Sequence, residues 1–346
     1  MKPLSTNAFG PKVKRTKQRR RMLAAWCAGA FAPLSAFAQQ PDKVRRIGFL
    51  APRSRSTAAN PDEFYDAFVA GMNALGYVEG KNLTIEWRFA DGQFERLPAL
   101  AAELVDLKVE VIVVDSTPAA LAAQRATRTI PVVTTVVGDP VASGLAASLG
   151  RPGGNITGLS SISFELMPKQ LELLRKLIPK LSRTAILINP DTPAHPAIVK
   201  QLQTVAQPLG IRVATTAARS IKDIETGMAK LMRDRTEALI IAPDPFFTGQ
   251  IRAIAALALK HRMASTYTVS PTYAKAGGLM SYGASNVDSF RRAAIFVDKI
   301  LRGAKAGDLP FEQPTLFRFV INRRTAKVLG LTISEELQLR ADEVIE

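Results

Sequence analysis

The chain has 346 residues, room for about two domains, and its 47% hydrophobic content supports packed cores. A formal charge of +16 suggests a nucleic-acid binder, but eight of the 46 Lys and Arg residues fall in residues 1–38, which hold no Asp or Glu. The rest sets 38 basic against 30 acidic side chains with no basic helix or aromatic-interleaved patch, so nucleic acid is excluded as the partner.

The N-terminus has the layout of a secretory signal. "KQRRR" supplies the positive region, "MLAAWCAGAFAPLS" the apolar region, and "AFA" at Ala36–Ala38 the small-x-small site, with cleavage expected after about Ala38. The apolar stretch is short for a membrane span and carries Gly29 and Pro33. Cys27, the only cysteine, lies inside it, so disulfides and cysteine-based zinc sites are excluded from the mature chain. The implied location is the periplasm, with Sec and twin-arginine export both open.

From Val44 onward, strand-like and helical patterns alternate. "VRRIGFLAP" is a strand. A helix follows from Asn60 as its cap, with Pro61 in the first turn, Glu63 completing a capping box, and Phe64, Phe68, Met72 and Leu75 on one face up to Gly76. "NLTIEWRFA" is a half-buried strand, and "QFERLPALAAELVDLK" a helix whose start Pro98 bends or delays. "VEVIVVDS" and "IPVVTTVV" are continuous apolar strands, the pattern of a sheet covered on both faces. Between them lies a helix, "TPAALAAQRATR", with Thr117 as cap and Pro118 at its first position. Residues 141–149 are expected as a further helix, 151–155 as a turn and 156–160 as a strand.

A second series then runs through the strands "RTAILINP", "IRVATTAA", "EALIIAP" and "MASTYTV", with helices near 194–209, 220–235 and 246–262. "SNVDSFRRAAIFVDKILRG" adds an amphipathic helix with Phe290, Ala294, Val297 and Leu301 near one face, and "TLFRFVIN" a late strand. Two βαβα series imply two α/β units with parallel sheets.

Ligands of such sheets collect at the carboxyl ends of the strands. Those ends are Pro52-Arg53-Ser54, Asp115-Ser116-Thr117-Pro118, Gly138-Asp139-Pro140, Asn189-Pro190-Asp191 and Asp244-Pro245-Phe246-Phe247. The same residue types also make good caps and turns. Nucleotide-loop, zincin and serine-nucleophile motifs are absent, and His195 and His261 stand alone, so neither a cofactor nor a metal is expected. An exported two-lobed α/β chain without catalytic fingerprints is expected to bind a ligand rather than to act as an enzyme.

The segments "GMNALGYVEGKNLTIEWRFADGQFERLPALAAELV", "GDPVASGLAASLGRPGGNITGLS", "PKQLELLRKLIP", "ALIIAPDPFF", "AGGLMSYG" and "DLPFEQPTLFRFVIN", in this order, give the chain a family likeness. It resembles the solute-binding proteins of bacterial ABC transporters, in the tryptophan- and amino-acid-associated group, over residues 44–346. The resemblance implies a type I periplasmic binding protein: two Rossmann-like lobes with parallel sheets joined by three crossover hinge segments. The N-terminal lobe would comprise 44–157 plus 284–306, and the C-terminal lobe 158–283 plus 307–346. The crossings would lie near 157–160, 281–283 and 307–313. Implied ligand-binding residues are Pro52, Arg53, Ser54, Asp115, Ser116, Thr117, Pro118, Gly138, Asp139, Pro140, Asn189, Asp191, Asp244, Phe246, Phe247 and Tyr282. The sequence departs from the family pattern at Pro245-Phe246-Phe247, where a small polar pair is usual.

The implied function is capture of a small molecule, an amino acid or an aromatic carboxylate, by hinge closure and delivery to an ABC permease in the inner membrane, with the protein a monomer. In that cleft Asp115, Asp139 or Asp244 would receive an ammonium, hydroxyls and helix N-termini a carboxylate, and Phe246, Phe247 and Tyr282 a flat apolar group. The alternative on the same fold is a ligand-sensing periplasmic module acting through a membrane signalling partner.

Overall fold

The computed structural model describes residues 44–55, 62–269 and 271–346. The expected signal peptide with Cys27 and Ala38, and the helix cap at Asn60-Pro61, lie outside the described residues. Val44–Glu346 forms one compact unit.

In chain order its first half runs β1 (Arg45–Ala51), α1 (Glu63–Ala74), β2 (Leu83–Phe89), a 3₁₀ turn Phe94–Arg96, α2 (Leu97–Asp106), β3 (Val111–Val114), α3 (Thr117–Ala126), β4 (Val132–Val137) and β5 (Ile156–Ser160). These five strands form a parallel sheet in the order β2-β1-β3-β4-β5. Strand alternation sends Ile47, Phe49, Val111 and Val113 to one core and Leu50, Ile112 and Val114 to another. Both faces are buried, which is why these strands are apolar without a break. The Phe64, Phe68, Met72 stripe of α1 is buried as its spacing requires, with Leu75 partly buried. Asp62 caps this helix by accepting from the Phe64 N–H at 2.9 Å. Pro98 sits in the first turn of α2, which begins directly after the 3₁₀ turn.

The second half runs α4 (Met167–Leu177), β6 (Arg183–Ile188), α5 (His195–Ala206), β7 (Arg212–Ala217), α6 (Ile221–Arg233), β8 (Ala238–Ile241), α7 (Pro245–Gly249), α8 (Ile251–Lys260), β9 (Ala264–Tyr267), α9 (Thr272–Lys275) and β10 (Met280–Ala284). After it come α10 (Asn286–Leu301), β11 (Phe317–Asn322), α11 (Arg323–Leu329), α12 (Glu335–Arg340) and β12 (Glu343–Ile345). The second sheet has the order β12-β11-β10-β9-β8-β6-β7. It is parallel except that β11 runs antiparallel to β10, a departure from the expected all-parallel arrangement. The chain enters β11 from the first lobe's side and so meets β10 head to tail.

Helix α10 packs on the first sheet, not the second: its Phe290, Val297 and Leu301 join the core of β1 and α1. Gly71 permits this contact, because a Cβ there would stand 2.6 Å from the Arg291 carbonyl oxygen. The chain therefore passes between the sheets after β5, after β10 and before β11.

Residues 141–149 are a correction. They form one turn up to Gly144 followed by irregular, bent chain, not a helix. Asp139 Oδ1 accepts the Val141 and Ala142 N–H groups at 2.9 and 3.0 Å, and Gly144 takes a left-handed φ of 70° that ends any helical run. The helix N-terminus expected there is thus absent. Thr117 is likewise not the cap of α3: Ser116 Oγ accepts from the Ala119 N–H at 3.3 Å.

Candidate functional site

Both sheets aim their strand carboxyl ends at one crevice, as doubly wound topology requires. It encloses a cavity of about 440 Å³, within the range of small-molecule sites. The first lobe supplies Arg53 after β1, Asp115–Pro118 after β3, and Gly138 and Asp139 after β4. The second lobe supplies Thr192–Ala194 after β6, Pro243–Pro245 after β8, and Tyr267–Val269 at the end of β9. Phe64, Phe290 and Asn286 close one side, and Ser161, Ser163 and Phe164 from the first crossing close another.

The densest chemistry is at the ends of β1 and β3. Arg53 is buried, with one guanidinium Nη donating to Asp62 and the other to Asp115 Oδ2 at 3.1 Å. Its Cζ lies 4.7 Å from the Tyr65 ring centroid and 5.2 Å from that of Phe64, so aromatic faces replace the water it has lost. Burial opposes its charge, but Tyr65, Asp115 and Asp62 outweigh this and hold it above the ordinary arginine range. Tyr65 Oη donates to Asp115 Oδ2 at 3.3 Å. Asp115 Oδ1 has no hydrogen-bond partner among the described residues. Burial pushes the Asp115 carboxyl above its usual value, against the pull of Arg53.

Asp244, across the cleft, is fully engaged. Its Oδ1 accepts from the Phe246 N–H at 2.8 Å and Asn189 Nδ2 at 3.3 Å, and its Oδ2 accepts from Thr192 Oγ1 at 2.6 Å. It caps α7 and ties the β6 and β8 loops together. His195 does the same from beneath: its Nδ1 lies 2.8 Å from the Asn189 carbonyl oxygen and 3.0 Å from the Asn189 nitrogen, and its Nε2 lies 3.2 Å from the Pro243 carbonyl oxygen.

Of the residues expected in the site, Arg53, Asp115, Ser116, Thr117, Pro118, Gly138, Asp139 and Asp244 are brought together on the cavity wall. Thr117 Oγ1 accepts the Gly138 N–H at 3.0 Å, joining two of these strand ends. The other eight lie off that wall. Pro52 and Pro140 are buried behind it, and their carbonyls accept turn N–H groups. Ser54 and Phe246 face a separate outer groove. Asn189 braces Asp244, and Asp191 is exposed in an ion pair with Arg219 at 2.9 Å. Phe247 is wholly buried as the apolar side of α7. Tyr282 packs on Phe319 at 6.3 Å in the second core, because its cross-strand partner on β11 is that residue.

The wall also contains residues sequence reasoning missed. Thr268 and Val269 fall inside the strand expected at 263–269, which ends at Tyr267, so they line the cavity as a loop. Thr192 lies in the 189–193 loop that the family resemblance implies. Phe64 and Phe290 were legible only as core positions on their helices. Ser161, Ser163 and Phe164 sit in a connection without periodicity, where no pattern marks them. Among the described residues no group of His, Cys, Asp and Glu is placed to hold a metal.

A family model, "ABC transporter substrate binding protein", matches residues 59–345. The chain is 26% identical over 276 residues to the "Tyrosine-binding protein" of Clostridioides difficile, covering 78% of this chain and 77% of that one. Among solved structures, a conserved domain protein from Vibrio cholerae is 26% identical, with a TM-score of 0.79 over 87% of this chain and 100% of the other. A Streptococcus domain in complex with L-Trp is 24% identical, with a TM-score of 0.77 over 87% of this chain and 99% of the other.

Proposed function

The chain belongs to the ABC transporter substrate binding protein family, and from that premise we propose that it captures an amino acid with an apolar side chain between its lobes and delivers it to an ABC permease. The observation that carries the ligand class is Asp115 Oδ1, a buried carboxylate oxygen without a donor. Leaving such an acceptor unmet costs roughly 1–3 kcal/mol, and a ligand ammonium removes that cost. Arg53 is the only cation on the cavity wall among the described residues, and both its Nη groups are held by carboxylates. A ligand carboxylate is therefore received by neutral donors: the hydroxyls of Ser116, Thr117 and Thr268 and the start of α3. The remaining wall, with Leu121, Val136, Phe164 and several prolines, suits an apolar side chain. The relatives named for tyrosine and crystallised with L-Trp support this ligand class.

An aromatic acid without an amine places an anion beside Asp115 and is disfavoured. Titration calorimetry of refolded, ligand-free protein tests the reading. Heat is expected with apolar L-amino acids and none with their deaminated analogues. Equal binding of both, or no binding of any amino acid, overturns it.

Export to the periplasm, removal of the leader after about Ala38, and action as a monomer complete the proposal. N-terminal sequencing of the exported protein checks the cleavage position. The lobes are proposed to hinge at 161–166, near Ser285 and at 313–316, where the chain leaves one sheet for the other. This shifts the expected crossings at 157–160, 281–283 and 307–313, because 156–160 is strand β5 of the first sheet, 280–284 is strand β10 of the second, and Glu312 is hydrogen-bonded to Gly158.

A further inference from the structure

We propose that Phe164 is a specificity-determining residue, setting how long an apolar side chain the cleft accepts; this rests on the amino-acid reading above. The strand order β1-β3-β4-β5 lays the wall out in sequence: Arg53, then Asp115, then Gly138, then the crossing that carries Phe164. Two strand spacings, about 10 Å, separate β3 with Asp115 from β5, which leads to Phe164. A ligand anchored by its ammonium at Asp115 thus extends its side chain toward that ring.

The ring is fixed from both lobes. On the first-lobe side, a Cβ built on Gly138 would stand 3.3 Å from Phe164 Cε2, tighter than ordinary contact. Gly138 does not have a positive φ, so the missing side chain there serves space and not backbone conformation. On the second-lobe side, the ring meets His195 edge to face, 6.4 Å between centroids at 86°. His195 is itself wholly buried with both ring nitrogens engaged, so this backing does not yield. Phe164 stays half-buried at the margin of the second core while lining the cavity. Its ring edge is the surface a ligand side chain reaches.

The test uses two substitutions with opposite expected effects. Phe164→Ala lengthens the cavity, and Gly138→Ala, itself on the wall, adds a methyl against the ring and narrows it. Dissociation constants are measured by calorimetry for L-Ala, L-Leu, L-Phe, L-Tyr and L-Trp on the purified wild type and both variants, with thermal unfolding run beside them. Phe164→Ala is expected to shift the preference toward larger side chains and Gly138→Ala toward smaller ones, each changing the ratio of neighbouring ligands by about tenfold. Phe164→Leu, which keeps a buried apolar side chain, shifts it partway. If the wild type binds but all variants weaken every ligand by one factor and keep the rank order, Phe164 is structural and the proposal falls. If the wild type binds none of the five, the amino-acid reading falls and takes the proposal with it.

Discussion

Burial raises the proton affinity of Asp115, and the Arg53 guanidinium offsets only part of that. A ligand ammonium at Oδ1 adds a positive charge and favours the ionised carboxylate. Ligand affinity is therefore expected to fall as pH drops through the Asp115 pKa, in a window above the ordinary aspartate value of about 4. Calorimetry across mildly acidic pH reads this slope. Asp115→Asn is expected to flatten it and to weaken binding by about 1.5–3 kcal/mol, roughly 10- to 150-fold. Unliganded stability runs the other way. A carboxyl with a raised folded pKa contributes stability that is present below the unfolded pKa and lost as pH rises through the folded one. Thermal unfolding of ligand-free protein should show that loss, and Asp115→Asn should not. Asp115 was legible in the sequence as a polar residue closing an apolar strand. Its distinction from Asp139 and Asp244 was not: all three close strands, and only the folded geometry shows that two of them are occupied by cap and turn N–H groups.

Elements with strong periodicity were legible, and those defined by a neighbour were not. The α1 stripe follows from a single helical repeat that burial then enforces, and the unbroken apolar runs of β3 and β4 follow from cover on both faces. The segment 141–149 lacks that constraint: alanines and leucines there suit a helix and Asp139 caps a first turn, but Gly144 in the left-handed region ends it after that turn. Strand β5 shows the same dependence on a neighbour. Gly158 has φ 130°, and a Cβ on it would lie 2.3 Å from the Thr134 carbonyl oxygen on β4. The Gly-rich run before it thus leads to a close strand contact, not to a phosphate loop. Gly158→Ala meets both a forbidden backbone region and a backbone clash, and is expected to cost about 2–4 kcal/mol. Thermal or urea unfolding against wild type measures it, and an unchanged midpoint refutes the close-approach account.

At the scale of the whole molecule, the third crossing is stitched to the first lobe before it leaves. Thr157 Oγ1 donates to the Leu309 carbonyl at 2.6 Å, the Glu312 N–H donates to the Gly158 carbonyl at 2.9 Å, and Arg292 pairs with the Glu312 carboxylate. Residues up to Glu312 therefore move with β5, and the proposed bending begins at Gln313. In the outer groove, away from the cavity wall, Thr272 Oγ1 on α9 donates to the Glu63 carboxylate on α1. This bond joins an element of the first lobe to one of the second, so it is expected to form only when the lobes are together. Closure traps ligand, and a bond made only in the closed state slows its escape without speeding its arrival. Thr272→Val keeps the shape and removes the donor. At a partly exposed site the loss is about 0.5–1 kcal/mol, which is roughly a two- to fivefold faster dissociation rate. Stopped-flow kinetics with the ligand found by calorimetry separates the two rates. An unchanged dissociation rate, or a slower association rate of the same size, removes the latch from the account of closure.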